Sequence, residues 1–400
     1  MESLKELYRI CNGPSSSHTV GPKKAAEQFL ARGNAVDSYR VTLYGSLAAT
    51  GKGHLTDVAI LSVLGSVAPT EIIFKPEVFL SFHPNGMLFE ALKDGKAIDQ
   101  WTIFSVGGGR LANEETKEEA PLNIYPLTTM KDILGWCNKE GKAFWEYVVE
   151  CEGPEIMVYL EEVWETMKKT IEDGLNNDGV IPGGLKLRRK ASTYLVKARG
   201  YRDSLASRAK LYAYALATSE ENASGGVVVT APTCGSSGVL PAVLYQLYMS
   251  QDFVPVRIIR ALATAGLFGN IAKENASISG AEVGCQGEVG VACAMAAAAA
   301  CQLFGGSLLQ IEYAAEMALE HHLGLTCDPV CGLVQIPCIE RNAIAAARAL
   351  DSNLYATLSD GSHMVNYDKV VEVMKQTGHD LPSLYRETAE GGLAKNYEQK

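Results

Sequence analysis

Val289-Gly290-Val291-Ala292-Cys293-Ala294-Met295-Ala296-Ala297-Ala298-Ala299-Ala300-Cys301-Gln302-Leu303 opens a run that reaches Ile311 without a charged side chain. It is long enough to raise the question of a membrane span. Composition decides against one: Ala and Gly dominate, Gln302 and Gln310 interrupt, and the Leu, Ile and Phe density that favours insertion is missing. Small side chains instead let neighbouring helices approach closely. The stretch therefore predicts a buried, closely packed helix within a compact helical domain.

The surrounding sequence extends that domain. Ile156, Leu160, Val163, Met167 and Ile171 recur at steps of three and four, one apolar helical face that ends at Gly174. A loop follows through Asn176-Asn177-Asp178-Gly179 and Pro182-Gly183-Gly184; from Lys190 the chain is Ala-rich, with a β-branched run only at Val227 to Val229. The first third differs. Val41 to Tyr44, Val78 to Phe82 and Trp101 to Val106 have strand character, and a helix is expected from about Lys23 to Arg32. Leu111 to Pro126, acidic and then Pro-containing, reads as the linker. The fold class is α+β: a mixed α/β domain over residues 1–125, then a mostly helical domain over 126–400.

Four hundred residues, 47% hydrophobic and 20% charged, carry ample material for a core and exclude disorder as the main state. The net charge of -10, without a basic run interleaved with aromatics, excludes nucleic acid as a partner class. Met1 to Leu7 carries acid early and lacks an apolar signal core, so a cytoplasmic protein is expected.

Ten cysteines then read as thiols for metal or catalysis rather than disulfides. Seven of them lie between Cys234 and Cys338. Cys285 sits among glycines (Gly280, Gly284, Gly287) that permit close backbone approach to a bulky group. Cys327 follows Gly324 and precedes Pro329, on a turn. Cys338 follows Pro337 at an expected helix N-terminus, where the partial positive charge favours thiolate. The spacing matches neither ferredoxin runs nor zinc ribbons, so metal ligation and plain packing both stay open. Cys293 and Cys301, within the Ala-rich helix, are expected to pack as core.

A second constellation is Asn12-Gly13-Pro14-Ser15-Ser16-Ser17-His18-Thr19-Val20-Gly21-Pro22. Consecutive hydroxyls and backbone donors before a helix suit a carboxylate or phosphate. A helix cap needs one hydroxyl; this turn offers several. Thr233 to Gly238, Ser359 to His363, and Gly45-Ser46-Leu47 with Gly51-Lys52-Gly53-His54 are explained equally well by caps and turns. His321 and His322 are expected to close an amphipathic helix and favour its C-terminal dipole.

These residues resemble iron–sulfur-dependent L-serine dehydratases. Gly13 to Pro22 and Leu43 to Leu47 look like the signatures of the family's β region; Gly280 to Cys285, Cys327 to Val330 and Gln335 to Asn342 look like those of its α region. The likeness runs through nearly the whole chain in the order of the single-chain form. It implies that Cys285, Cys327 and Cys338 hold a [4Fe–4S] cluster, with one iron left open. The family pattern has Gly where this chain has Cys331, and Asn where it has Cys234. Some members carry a cysteine at the extreme C-terminus; this chain ends Asn396-Tyr397-Glu398-Gln399-Lys400, so no tail-to-cluster contact is expected.

The resemblance implies β-elimination of L-serine, with the substrate hydroxyl activated by the open iron and the carboxylate held at Ser16, Ser17 and Thr19. Arg341 and Asn342, three and four residues beyond Cys338, share its helix face and are substrate-binding candidates. His18, Lys273, His363 and His54 qualify by type as the base. Two other functions remain: a pyridoxal-phosphate lyase, with Gly107-Gly108-Gly109 or Cys234 to Gly238 cradling phosphate, and a zinc- or cluster-stabilised binding protein that is no enzyme. The expected partner is a small amino acid, with neither nucleic acid nor membrane, and the expected assembly a homodimer.

Overall fold

The computed structural model describes residues 1–33, 35–106, 109–113, 122–395 and 397. The N-terminal part runs β1 (Ile10–Asn12), α1 (Gly21–Leu30), β2 (Ser38–Tyr44), α2 (Gly45–Thr50), α3 (Thr56–Leu64), β3 (Thr70–Lys75), β4 (Gly86–Lys93), β5 (Lys96–Ser105) and β6 (Leu111–Ala112). Five of these strands form one sheet in the order β3-β2-β4-β5-β6, parallel between β2 and β3 and antiparallel elsewhere. Asp94 and Gly95, both at positive φ, close the β4–β5 hairpin in two residues, the backbone twist such a connection needs. Helices α1 and α3 cover one face, where Phe29 meets Tyr39, Phe89 and Trp101 in a small aromatic core.

The larger core is helical. It is built by α4 (Met130–Glu140), α5 (Phe144–Glu152), α6 (Glu155–Asn176), α7 (Ala191–Ala198), α8 (Asp203–Ala223), strand β7 (Val227–Val229), α9 (Val239–Gln251), α10 (Pro255–Asn275), α11 (Gly280–Val283), α12 (Val291–Leu303), α13 (Leu308–Glu320), α14 (Cys338–Leu358) and α15 (Tyr367–Asp380). The α+β reading of the chain is the observed fold. Helix α12 is enclosed by α9, α10, α13 and α14, and its Ala-rich surface lets all four approach. Among the described residues, no helix is long and apolar enough to cross a membrane.

The sequence expectations shift in four places. The uncharged run to Ile311 is not one helix: it breaks at Gly305-Gly306, and Ser307 with Gln310 caps α13. Val78 to Phe82 is irregular; the strand forms at Gly86–Lys93 instead, because Pro76 and Pro84 bracket the segment, and the exposed Phe82 ring rests against Phe104. Helix α6 runs past Gly174, which is a packing glycine: a Cβ there would collide with the Ala217 backbone. Leu111–Ala112, expected as linker, is the edge strand β6, while residues 114–121 of that segment lie outside the described residues.

The N-terminus joins the helical side. Strand β1 pairs antiparallel with β7, Ile10 opposite Val229. Met1, Leu4, Leu7 and Tyr8 are buried in the larger core, and Tyr8 Oη donates to the Leu262 carbonyl at 2.9 Å. The hydroxyl-rich turn that follows β1 is thereby anchored against the helical part.

Candidate active site

The three cysteines of the resemblance come from three element ends. Cys285 follows α11, Cys327 lies in the extended segment after α13, and Cys338 begins α14. Cys285 and Cys327 are buried and Cys338 is half-buried. Gly280 explains one close approach: a Cβ there would stand 2.7 Å from Glu288 Oε2 and 3.2 Å from Cys327 Sγ. Cys285 and Cys327 share a hydrogen bond, and Arg341 bonds the Cys285 sulfur. The bond to Cys327, then the Arg341 guanidinium, pull the Cys285 thiol down to about 6, while the same shared bond pushes that of Cys327 up. Cys338 departs from expectation. Burial and the neighbouring Cys285 charge push its thiol up, outweighing the helix end that was expected to favour its thiolate.

Arg341 also donates to the Thr326 carbonyl at 2.9 Å, and Asp328 lies 4.0 Å away. Asn342 gives both amide hydrogens to backbone, at Gly235 O and Cys338 O, and accepts from Gly238 N–H. It bolts the Thr233–Gly238 turn to α14. Thr233 Oγ1 donates to Glu288 Oε1 at 2.8 Å; burial and the Cys285 charge raise that carboxyl to about 8.

The hydroxyl turn resolves into separate duties. Ser15 is the cap, accepting the His18 N–H at 3.1 Å. Thr19 Oγ1 donates to the His54 carbonyl at 2.6 Å and so ties the turn to the segment after α2. Ser17 Oγ lies 2.8 Å from His18 Nδ1, and Ser46 Oγ lies 3.4 Å from His18 Nε2. His18 and His54 meet edge-on with ring centroids 4.5 Å apart. Burial holds both neutral: it drives His54 down to about 3, and burial with the neighbouring His54 holds His18 well below its ordinary range. The ambiguous Gly51-Lys52-Gly53-His54 segment thus delivers a histidine to the site.

The residue that joins the two sides is Glu387, which sequence reasoning missed. Its N–H donates to the Cys327 carbonyl at 2.8 Å, while Cys327 N–H donates to Tyr385 O at 2.9 Å. Its carboxyl stands 3.5 Å from His18 Nδ1 and 4.0 Å from His54 Nδ1. Ser46 Oγ donates to its carbonyl at 2.7 Å. Burial, then Glu288 and Cys285, push the Glu387 carboxyl well above the usual range. Its backbone is left-handed at φ 60°. Nothing in the spacing of the sequence marks it among 46 acidic residues.

Two donor sets follow. Three thiols at separate element ends, one lowered by its Cys327 bond and Arg341, have the chemistry of a soft-metal or iron–sulfur site. His18, His54 and Glu387 offer ligand atoms within 4.8 Å of one another, enough for a single ion.

Other expected site residues lie elsewhere. Lys273 pairs with Glu2 and lines a cleft of about 330 Å³ with His83, Arg110 and Glu282. His363 stacks on Tyr313 and pairs with Glu312 at 3.2 Å; its Ser359 to His363 segment is a turn closed by Gly361 N–H on Ser359 Oγ. Neither shares a hydrogen bond or ion pair with His18 or the three cysteines. Cys331 is exposed at φ 56°, a conformation that suits glycine. Cys234 contacts Cys11, with the sulfurs 3.6 Å apart. His322 is buried near neutrality with its pKa at about 4, so it brings no charge to the end of α13. Gly107 and Gly108 lie outside the described residues, as do Asn396 and residues 398–400.

Comparison with known proteins gives the family. The family model of the serine dehydratase alpha chain matches residues 96–394, and that of the beta chain matches residues 3–73 and 65–116. The chain is 42% identical to the L-serine dehydratase of Streptomyces coelicolor, over 98% of both chains. It is 40% identical to L-serine dehydratase 1 of Escherichia coli strain K12, over 98% of this chain and 99% of the relative. The L-serine dehydratase of Helicobacter pylori is 35% identical over 98% of both.

Proposed function

The chain belongs to the serine dehydratase family, and from that premise we propose that it deaminates L-serine to pyruvate and ammonia with a [4Fe–4S] cluster held by Cys285, Cys327 and Cys338. In this reading residues 1–125 are the β-type part and 126–400 the α-type, cluster-binding part, and the enzyme is a cytoplasmic homodimer. The chemistry the cluster supplies when bound is Lewis acidity, from an iron without a protein thiolate, for the departing hydroxyl.

Glu387 carries the reading. Its backbone is tied to Cys327 and its carboxyl faces His18 and His54, so the thiol side and the histidine side are one site. The chain's own residues then divide the work. Ser16 and Ser17 hold the substrate carboxylate, and Thr19 keeps their turn docked on His54. His18, neutral because it is buried, accepts the Cα proton, and the Glu387 carboxyl 3.5 Å from its Nδ1 orients the ring. Arg341 balances the thiolate charge at Cys285, and Asn342 positions the turn over Cys338. Aminoacrylate released by the elimination becomes an imine and hydrolyses without further help. Lys273 and His363 stand aside from this scheme, since their partners are Glu2 and Glu312.

Anaerobic purification tests it. A brown protein with iron and sulfide, forming pyruvate from L-serine, losing activity in air and regaining it with iron and thiol but not with pyridoxal phosphate, is expected. Turnover that survives both air and iron chelation overturns the cluster assignment. A colourless zinc protein without turnover overturns the enzyme itself.

A further inference from the structure

Cys11 and Cys234 lie 223 residues apart in the chain and in contact in the fold. Strand β1 pairs with β7 so that Cys11 stands opposite Val228, and the turn that follows β7 brings Cys234 back beneath it. The sulfurs are 3.6 Å apart. Cys234 is buried at 1% exposure, whereas Cys11 is partly open to solvent. Neither thiol takes part in the reaction proposed above.

We propose that Cys11 and Cys234 are a reversible dithiol–disulfide site, oxidised by low-molecular-weight disulfides of the glutathione class. The elements that hold the pair are already paired, so closing the bond needs a sulfur displacement of about 1.5 Å, down to about 2.05 Å, rather than a refolding. The exposure difference orders the chemistry. Cys11 gives its proton to water, and its sulfur attacks one sulfur of the small disulfide, whose S–S bond breaks and releases one thiolate. Cys234 then gives its proton to that thiolate and attacks the Cys11 sulfur, expelling the second small thiolate, which takes a proton from water. Two protein thiols are oxidised by two electrons, and one small disulfide is reduced to two thiols. The shared hydrogen bond and Arg9 lower the Cys11 thiol while the same bond raises that of Cys234, consistent with Cys11 as the attacking group.

The location gives the bond a consequence. Cys234 belongs to the turn that Asn342 clamps to the start of α14 and that Thr233 ties to Glu288. Drawing Cys234 towards β1 pulls on both attachments, so oxidation reaches the site without touching a residue that holds the cluster.

The experiment is read on thiols rather than on turnover. Anaerobically purified holoenzyme is incubated with oxidised glutathione, its iron content is followed, and the chain is denatured, alkylated and peptide-mapped. A Cys11–Cys234 linked peptide in most chains, at unchanged iron content and reversed by dithiothreitol, is expected. Cys234→Ser should stop at a glutathione adduct on Cys11; Cys11→Ser should leave Cys234 unmodified. Full alkylation of both cysteines in the treated wild-type protein overturns the proposal, and so does a link that forms only after iron is lost. Because that result comes from the wild-type chain, a variant that fails to fold does not shield the proposal.

Discussion

Helix α12 and the turns beside it both bury cysteine, with opposite results. Cys293 and Cys301 are enclosed by alanines and by their neighbouring helices, and burial chiefly drives their thiols up, Cys301 to about 12. Cys285 is as deeply buried, yet a thiol partner and a guanidinium bring it down to about 6. Desolvation penalises a thiolate in both places; only the turn-built region supplies charge and donors that repay it. Burial therefore does not separate a structural cysteine from a chemical one. Partners do: Cys285 is lowered by the Cys327 hydrogen bond and the Arg341 guanidinium, whereas Cys338, at a helix end but beside the Cys285 charge, is pushed up as Cys293 and Cys301 are.

The comparison breaks most directly on substitution. Cys285→Ala, Cys327→Ala and Cys338→Ala are each expected to abolish iron, sulfide and activity, whereas Cys293→Ala and Cys301→Ala keep all three. Normal iron and sulfide in Cys338→Ala would sink the ligand assignment.

The histidine side sharpens the contrast without touching a thiol. His18→Ala is expected to lower kcat by about 10²–10⁴-fold, the usual contribution of a positioned base, with iron content unchanged. Glu387→Gln keeps the shape but not the acid and should cost about 10–100-fold, the scale of a positioning partner. Kinetics and iron analysis on the same preparations decide both; a fully active, iron-replete His18→Ala enzyme ends the two-sided site.

The quiet region has its own titration. His322 packs against Gly290 at the entry to α12 and stays neutral, its pKa lowered from 6.5 to about 4 by burial. The unfolded chain takes up this proton below pH 6.5 while the folded chain refuses it, so stability is complete above pH 6.5 and falls as pH drops towards 4. The loss reaches about 3 kcal/mol. Urea unfolding of the wild type and His322→Asn between pH 7 and about 4 should show the variant losing less stability over that range; parallel curves would refute it.

The smallest effect belongs to a single hydroxyl. Ser17→Ala is expected to weaken serine binding by about 1–3 kcal/mol if its oxygen meets the substrate, with little change in Tm, since Ser15 already serves as the cap. A Tm drop with unchanged KM would return Ser17 to a structural part.

Much of this was legible before any coordinates. Ala density forecast a buried helix within Val289 to Ile311, of which Val291–Leu303 forms one, and the 3.6-residue period forecast α6, because both depend on side chains facing one neighbour at a time. Consecutive hydroxyls marked the His18 turn, and glycines marked the close approach at Gly280. The rest depended on distance through space. Lys273 and His363 had the right chemistry, but the fold gave them to Glu2 and Glu312. Asn342 shared a helix face with Cys338, and its amide was taken by the Gly235 and Gly238 backbone, 107 and 104 residues earlier. Glu387 carried no local signal, since its carboxyl is raised by burial and by Glu288 and Cys285, which only its tie to Cys327 brings about it. Periodicity and turn chemistry are properties of neighbouring residues and are written in the sequence; proton affinity and pairing are set by whatever the fold brings within a few ångströms, and only the tertiary structure decides them.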